Sequence, residues 1–121
     1  MNQRYHKDAG KWQSLIPRQF YEDFHSFEKS PYMRIIRKYM RLKTLTEISL
    51  FEAIEKVLAF GAKKYEPHSW IKLDDGINRY YYSLRRHERK LGEIDPESKL
   101  PHLYHLLCNA MFLHYLWRKE Q

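Results

Sequence analysis

Apolar side chains in this sequence recur at steps of three and four, and nowhere do they alternate. Steps of three and four line one face of a helix, whereas a half-buried strand needs a step of two. Phe20, Phe24 and Phe27 form such a face within residues 18–29. Ser30-Pro31 interrupts it and can open the next helix, because proline suits a first helical position. That helix is expected over residues 31–43. Tyr32, Ile35, Ile36, Tyr39 and Leu42 form its stripe, with Arg34, Arg37, Lys38 and Arg41 largely off it. Thr46 is the expected N-cap of a third helix reaching about residue 65, with Phe51, Ile54, Leu58, Gly61 and Tyr65 on its apolar face. Residues 66–76 carry turn chemistry. A fourth helix is expected over residues 77–91, with Ile77, Tyr80, Tyr81, Leu84 and Leu91 inward and Gly92 as its C-cap. After a loop over 92–101, a last helix over 102–118 turns Leu103, Leu107, Ala110 and Trp117 inward. The reading is all-α, a bundle of four or five helices in a single domain over residues 1–121 that opens with an arm to about residue 17.

A chain of 121 residues has room for one core. Its 22 Lys+Arg against 15 Asp+Glu leave a formal charge of +7, which points to an anionic partner: nucleic acid, a nucleotide or a membrane surface. No apolar run approaches the ~18 residues of a membrane span, and the polar start lacks the apolar core of a signal peptide. No membrane association is therefore expected. Nor is nucleic acid the expected partner, since no nucleic-acid motif is recognised. Cys108 is the single cysteine, so neither an intrachain disulfide nor a cysteine-rich zinc site is available, and a reducing, cytoplasmic setting is consistent with it.

Several residues could carry chemistry. Glu88 falls by helical count within the fourth helix's apolar stripe, where a carboxylate needs a metal, a paired Arg, or a helix turned enough to expose it. Glu52 and Glu55 form E-x-x-E, a spacing that can jointly hold a hard divalent cation or lie on a solvated face. His102, His105 and Asn109 share a polar stripe on the last helix. They suit a transition metal, a phosphate, or plain interhelical hydrogen bonding. Asp95 and Glu97 flank Pro96 just upstream, where turn and capping duty is also open to them. Lys63, Lys64, Arg79, Arg85 and Arg86, with Tyr65, Trp70 and Tyr80 nearby, could hold a nucleotide or form a solvated basic surface.

Three blocks carry a family resemblance. They are KDAGKWQSLIP (residues 7–17), VLAFGAKKYEPHSW (57–70) and RYYYSLRRHERKLGEIDPESKLPHLYHLLCNAMFL (79–113). Together they resemble the phage-associated dATP/dGTP diphosphohydrolases, a branch of the MazG-like, all-α nucleoside triphosphate pyrophosphohydrolases. The resemblance implies cleavage of a purine deoxynucleoside triphosphate to monophosphate and pyrophosphate, with Mg²⁺ or Mn²⁺, in a dimer or tetramer serving phage nucleotide metabolism in the bacterial host cytoplasm. Carried onto this chain, it implies Glu52, Glu55 and Glu88, with Asp95, as catalytic and metal-holding carboxylates. Lys63, Lys64, Arg79, Arg85 and Arg86 would face the phosphates, and Tyr65 or Trp70 the base. His102-x-x-His105 stands where relatives have a second acidic pair, and residues 18–50 read as an insertion bearing the basic helix. A second function stays open beside the enzyme: a non-catalytic binder that sequesters a nucleotide signal or contacts a host protein.

Overall fold

The computed structural model describes residues 14–27 and 29–121. The expected arm and the first family-like block fall outside the described residues as far as residue 13. Among the described residues there are five α-helices and no strand. They are α1 (Arg18–Ser26), α2 (Pro31–Leu42), α3 (Glu47–Lys64), α4 (Gly76–Glu88) and α5 (His102–Lys119), with a short 3-10 helix at Ser69–Lys72. The all-α expectation is met.

The last helix is the centre of the bundle, and α1, α2, α3 and α4 all pack on it. Six consecutive residues, Leu106, Leu107, Cys108, Asn109, Ala110 and Met111, are buried, followed by Leu113 and His114. Six in a row exceed one turn, so α5 is enclosed on all sides rather than along one stripe. The expected inward positions Leu103 and Trp117 are only half-buried.

Local chemistry explains the helix starts. The Ser30 hydroxyl accepts the Met33 amide at the head of α2, and Pro31 follows at the first helical position. Thr46 and Ser49 form a reciprocal capping box on α3. Phe20 and Phe24 of α1 and Phe51 of α3 meet edge-on, with ring centroids 5.4–6.3 Å apart.

Two helices end earlier than their patterns suggest. α1 stops at Ser26, and α4 stops at Glu88, leaving Leu91 half-buried in a following turn. Gly92, at φ +92°, sits in that turn rather than capping the helix directly. α4 is also rotated from its expected seating: Leu84 and His87 are buried, Tyr81 is 42% exposed, and Glu88 leaves the core. Tyr65, expected on the apolar face of α3, is exposed just past its end. The loop before α5 folds back on itself. Asp95 donates its amide to the Leu100 carbonyl, Lys99 to that of Asp95, and His102 to that of Glu93. These bonds hold Asp95 and Ser98 against the start of α5.

Candidate functional site

The C-terminal end of α3, the 3-10 helix, α4, the 93–98 loop and α5 enclose a cleft of about 570 Å³. Its polar wall is built from Lys64, Arg86, His87, Asp95, Glu97, His105 and Asn109. Its apolar wall includes Tyr65, Trp70, Tyr80 and Phe112.

The aromatic wall is held by ring contacts and a hydrogen bond. Trp70 stacks on Phe112 at 4.3 Å and meets Tyr115 edge-on. The Tyr80 hydroxyl donates to the Trp70 carbonyl at 2.8 Å, and burial pushes its pKa up to about 12. Among the described residues, the buried Trp70 indole N–H has no acceptor.

About two turns away along the same faces of α4 and α5 stands a histidine cluster. His87 stacks on His105 at 4.7 Å, and its Nδ1 lies 2.7 Å from Nδ1 of His102. One of those two nitrogens carries the proton between them. His105 Nε2 meets the Ser98 hydroxyl at 2.6 Å, with the Asp95 carboxylate at 3.8 Å. Burial, reinforced by His105, Arg86 and His102, lowers the His87 pKa to about 4. Burial also lowers that of His105, against the opposing pull of Asp95. For Asp95, burial works upward, but hydrogen bonds from Ser98 and the nearby histidines outweigh it and leave the carboxyl below its ordinary range. Asn109 donates its side-chain amide to the His105 carbonyl and to the Ser83 hydroxyl. At the mouth, Lys64 pairs with Glu97 at 2.6 Å, a bond that raises the lysine's pKa. Such an exposed pair is weak enough for an incoming anion to displace.

The structure thus brings Lys64, Tyr65, Trp70, Arg86, Asp95, His105 and Asn109 to one cleft. His102 backs it through His87. Lys63 is exposed and does not line this wall, and Arg79 lies in a second, shallower depression with Tyr82 and Asn109. Arg85 points elsewhere, bonded to Glu88 and to the Tyr81 hydroxyl. His87, Ser83 and Ser98 were not singled out from the sequence. Ser98 lies within the quoted GEIDPES run and His87 within RRH, so the signal was present but unassigned.

The four carboxylates implied as metal ligands do not converge. Glu55 is buried and accepts from the Ser14 hydroxyl and from the amides of Leu15 and Ile16, so it anchors the segment before α1. Glu88 accepts from the Tyr39 hydroxyl at 2.6 Å and pairs with Arg85 at 3.0 Å. That bond, after burial, helps push Tyr39 up to about 12. Glu52 is half-buried on α3 and is not part of the cleft wall. Among the described residues, no three or more His, Cys, Asp or Glu are arranged to hold a metal ion. Only Asp95 of the four faces the cleft.

Among the described residues, no helix is long and apolar enough to cross a membrane. No curated protein and no solved structure matches the chain. A family model does match, over residues 30–121, a span that includes α2 and the entire cleft except Leu15. On that match, which covers well over half of its length, the chain belongs to the family described as dATP/dGTP diphosphohydrolase, N-terminal.

Proposed function

We propose that the cleft binds a purine deoxynucleoside triphosphate and hydrolyses it to monophosphate and pyrophosphate, as the family description suggests. The observation that carries this reading is the joining of two unlike sets of side chains in one cleft: cations and hydrogen-bond donors together with a stacked aromatic cluster. Arg86 and Lys64 meet the phosphates, with Lys64 exchanging Glu97 for the ligand. Trp70 or Tyr65 takes the purine face, and His105 and Asn109 orient the phosphate chain. Asp95 would be the protein's carboxylate toward Mg²⁺ or Mn²⁺. Magnesium is commonly bound by one or two carboxylates plus substrate phosphates, so a full protein cage is not required. A dimer or tetramer working in phage nucleotide metabolism, in the bacterial cytoplasm, is part of the same proposal.

The test is pyrophosphate release from dATP and dGTP by the purified protein, with Mg²⁺ or Mn²⁺, products resolved by chromatography. Stoichiometric monophosphate and pyrophosphate are expected. Arg86→Ala, a change at an exposed position, is expected to lower kcat/KM by ~10- to 100-fold, the range of one charge-assisted hydrogen bond, with helix content unchanged. No turnover of any nucleotide with either metal would overturn the enzyme reading. Tight binding with the nucleotide returned intact would favour the binder instead.

A further inference from the structure

The packing of α4 against α5 gives the cleft two levels. At one, the Tyr80 ring meets Phe112 at 4.7 Å; at the other, His87 stacks on His105 at 4.7 Å. The two pairs are seven residues apart on each helix, about 10 Å at 1.5 Å per residue. Ser83 and Asn109 lie between them, bonded to each other at 3.1 Å. An arginine follows each level along α4: Arg86 precedes His87, and Arg79 precedes Tyr80. The histidine level also holds Asp95, and Glu97 draws Lys64 toward it. A phosphate chain and its metal belong at that end. Arg79 belongs to the other end. It lines a shallow depression that continues the cleft, sharing Leu73, Tyr80, Ser83 and Asn109 with it. The Arg79 guanidinium is exposed and has no hydrogen bond or ion pair among the described residues. Asp75 lines the same depression, and its carboxylate accepts from Asn78 rather than from Arg79. A carboxylate there disfavours a second phosphate at this end.

We propose that Arg79 determines base specificity and that the base it selects is guanine, an inference that rests on the cleft being a purine nucleotide site. A nucleotide carries its base and its phosphates on opposite sides of a sugar. With the phosphates at Arg86 and Lys64, the base reaches the aromatic level, and its edge faces the depression of Arg79. A guanidinium is a flat fork that donates and never accepts. Guanine offers that fork two neighbouring acceptors, O6 and N7, on one edge. Adenine keeps N7 but has an amino donor in place of O6, so the fork meets one acceptor and one opposing donor. The same feature that binds guanine therefore rejects adenine.

The test compares dGTP, dITP, 7-deaza-dGTP, dATP and dCTP as kcat/KM, or as dissociation constants if the nucleotide is returned intact. Wild-type protein is expected to favour dGTP over dATP by ~5- to 100-fold, the range of one bidentate pair. Deoxyinosine triphosphate, which keeps O6 and N7, is expected to match dGTP, and 7-deaza-dGTP to fall below both. Arg79→Ala is expected to bring dGTP down to the level of dATP, with dATP itself and the melting temperature unchanged. Arg79→Gln is expected to move the preference toward dATP, because an amide pairs with adenine N6 and N7. Guanine selectivity without turnover would overturn the hydrolase reading and leave this one standing. Equal use of dGTP and dATP by the wild type would overturn this one and leave the hydrolase. So would an equal loss of every nucleotide, dCTP included, in Arg79→Ala, which marks a phosphate contact. Binding of no nucleotide at all would overturn both.

Discussion

Asp23 shows how a single buried side chain can commit three parts of the chain to one another. It is 3% exposed and lies on α1. Its Oδ2 meets Nε2 of His114 at 2.9 Å and Nε of Arg118 at 3.3 Å, and its Oδ1 accepts from Gln19. The far nitrogen of His114 meets the Ser30 hydroxyl at 2.9 Å, and that hydroxyl also caps α2. The directions agree: His114 Nε2–H donates to Asp23, and Nδ1 accepts from Ser30. This Ser–His–Asp line looks like a nucleophile's relay, but Ser30 is 0% exposed, so no substrate reaches it. Its role is to join α1, the α1–α2 turn and α5. Asp23→Ala removes the acceptor and leaves the other groups buried, an effect of about 3 kcal/mol. The melting temperature is expected to fall by ~10 °C or more in calorimetry. Glu22→Ala, which removes only the exposed partner of Arg18, is expected to change stability by less than ~1 kcal/mol.

At the scale of elements, capping is the simplest part to test. Thr46→Ala opens the box at the start of α3 and is expected to cost ~1 kcal/mol, read from a shift in urea midpoint at unchanged slope. The same caps made the helices legible: Ser30-Pro31 and Thr46 mark starts that hydrogen bonding confirms. The ends were less legible, because patterns such as Leu91 continue past the point where tertiary contacts let the helix stop. The rotation of α4 was not legible either. After Leu84, both 87 and 88 fit a step of three or four, and neighbouring residues on a helix differ by ~100° in direction. The choice between them was made by α5, which offers His102 and His105 to His87, while Tyr39 of α2 offers a hydroxyl to Glu88. Much of the cleft was readable as residue types in three family-like blocks. That Glu55 is spent on the 14–16 backbone was not, since its partners lie about forty residues away.

At the scale of the whole molecule, burial disfavours the charged form of three of the described histidines. His87, His105 and His114 all have pKa values lowered first by burial. The unfolded chain takes up their protons near the ordinary value of 6.5, while the folded chain resists. For His87, between 6.5 and about 4 the unfolded state binds more protons, so its contribution to stability is complete above about pH 6.5 and is lost as pH falls toward 4; His105 and His114 act in the same direction. For His87 alone the loss between pH 7 and pH 5 is ~2 kcal/mol, at 1.36 kcal/mol per unit. Denaturant titrations at the two pH values measure it, and His87→Gln is expected to flatten the dependence.

The enclosure of α5 also bears on how the protein is made. The four earlier helices share a core chiefly through that helix; the direct links between them include the rings around Phe51 and the Tyr39–Glu88 bond. Residues 102–119 leave the ribosome after every segment they organise. A nascent chain that has emerged only as far as the 93–98 loop exposes the apolar faces of α1 to α4 with nothing to cover them. It also lacks His105 and Asn109, two of the seven residues of the cleft's polar wall. Folding and the assembly of the binding site therefore wait for the same event, the emergence of α5.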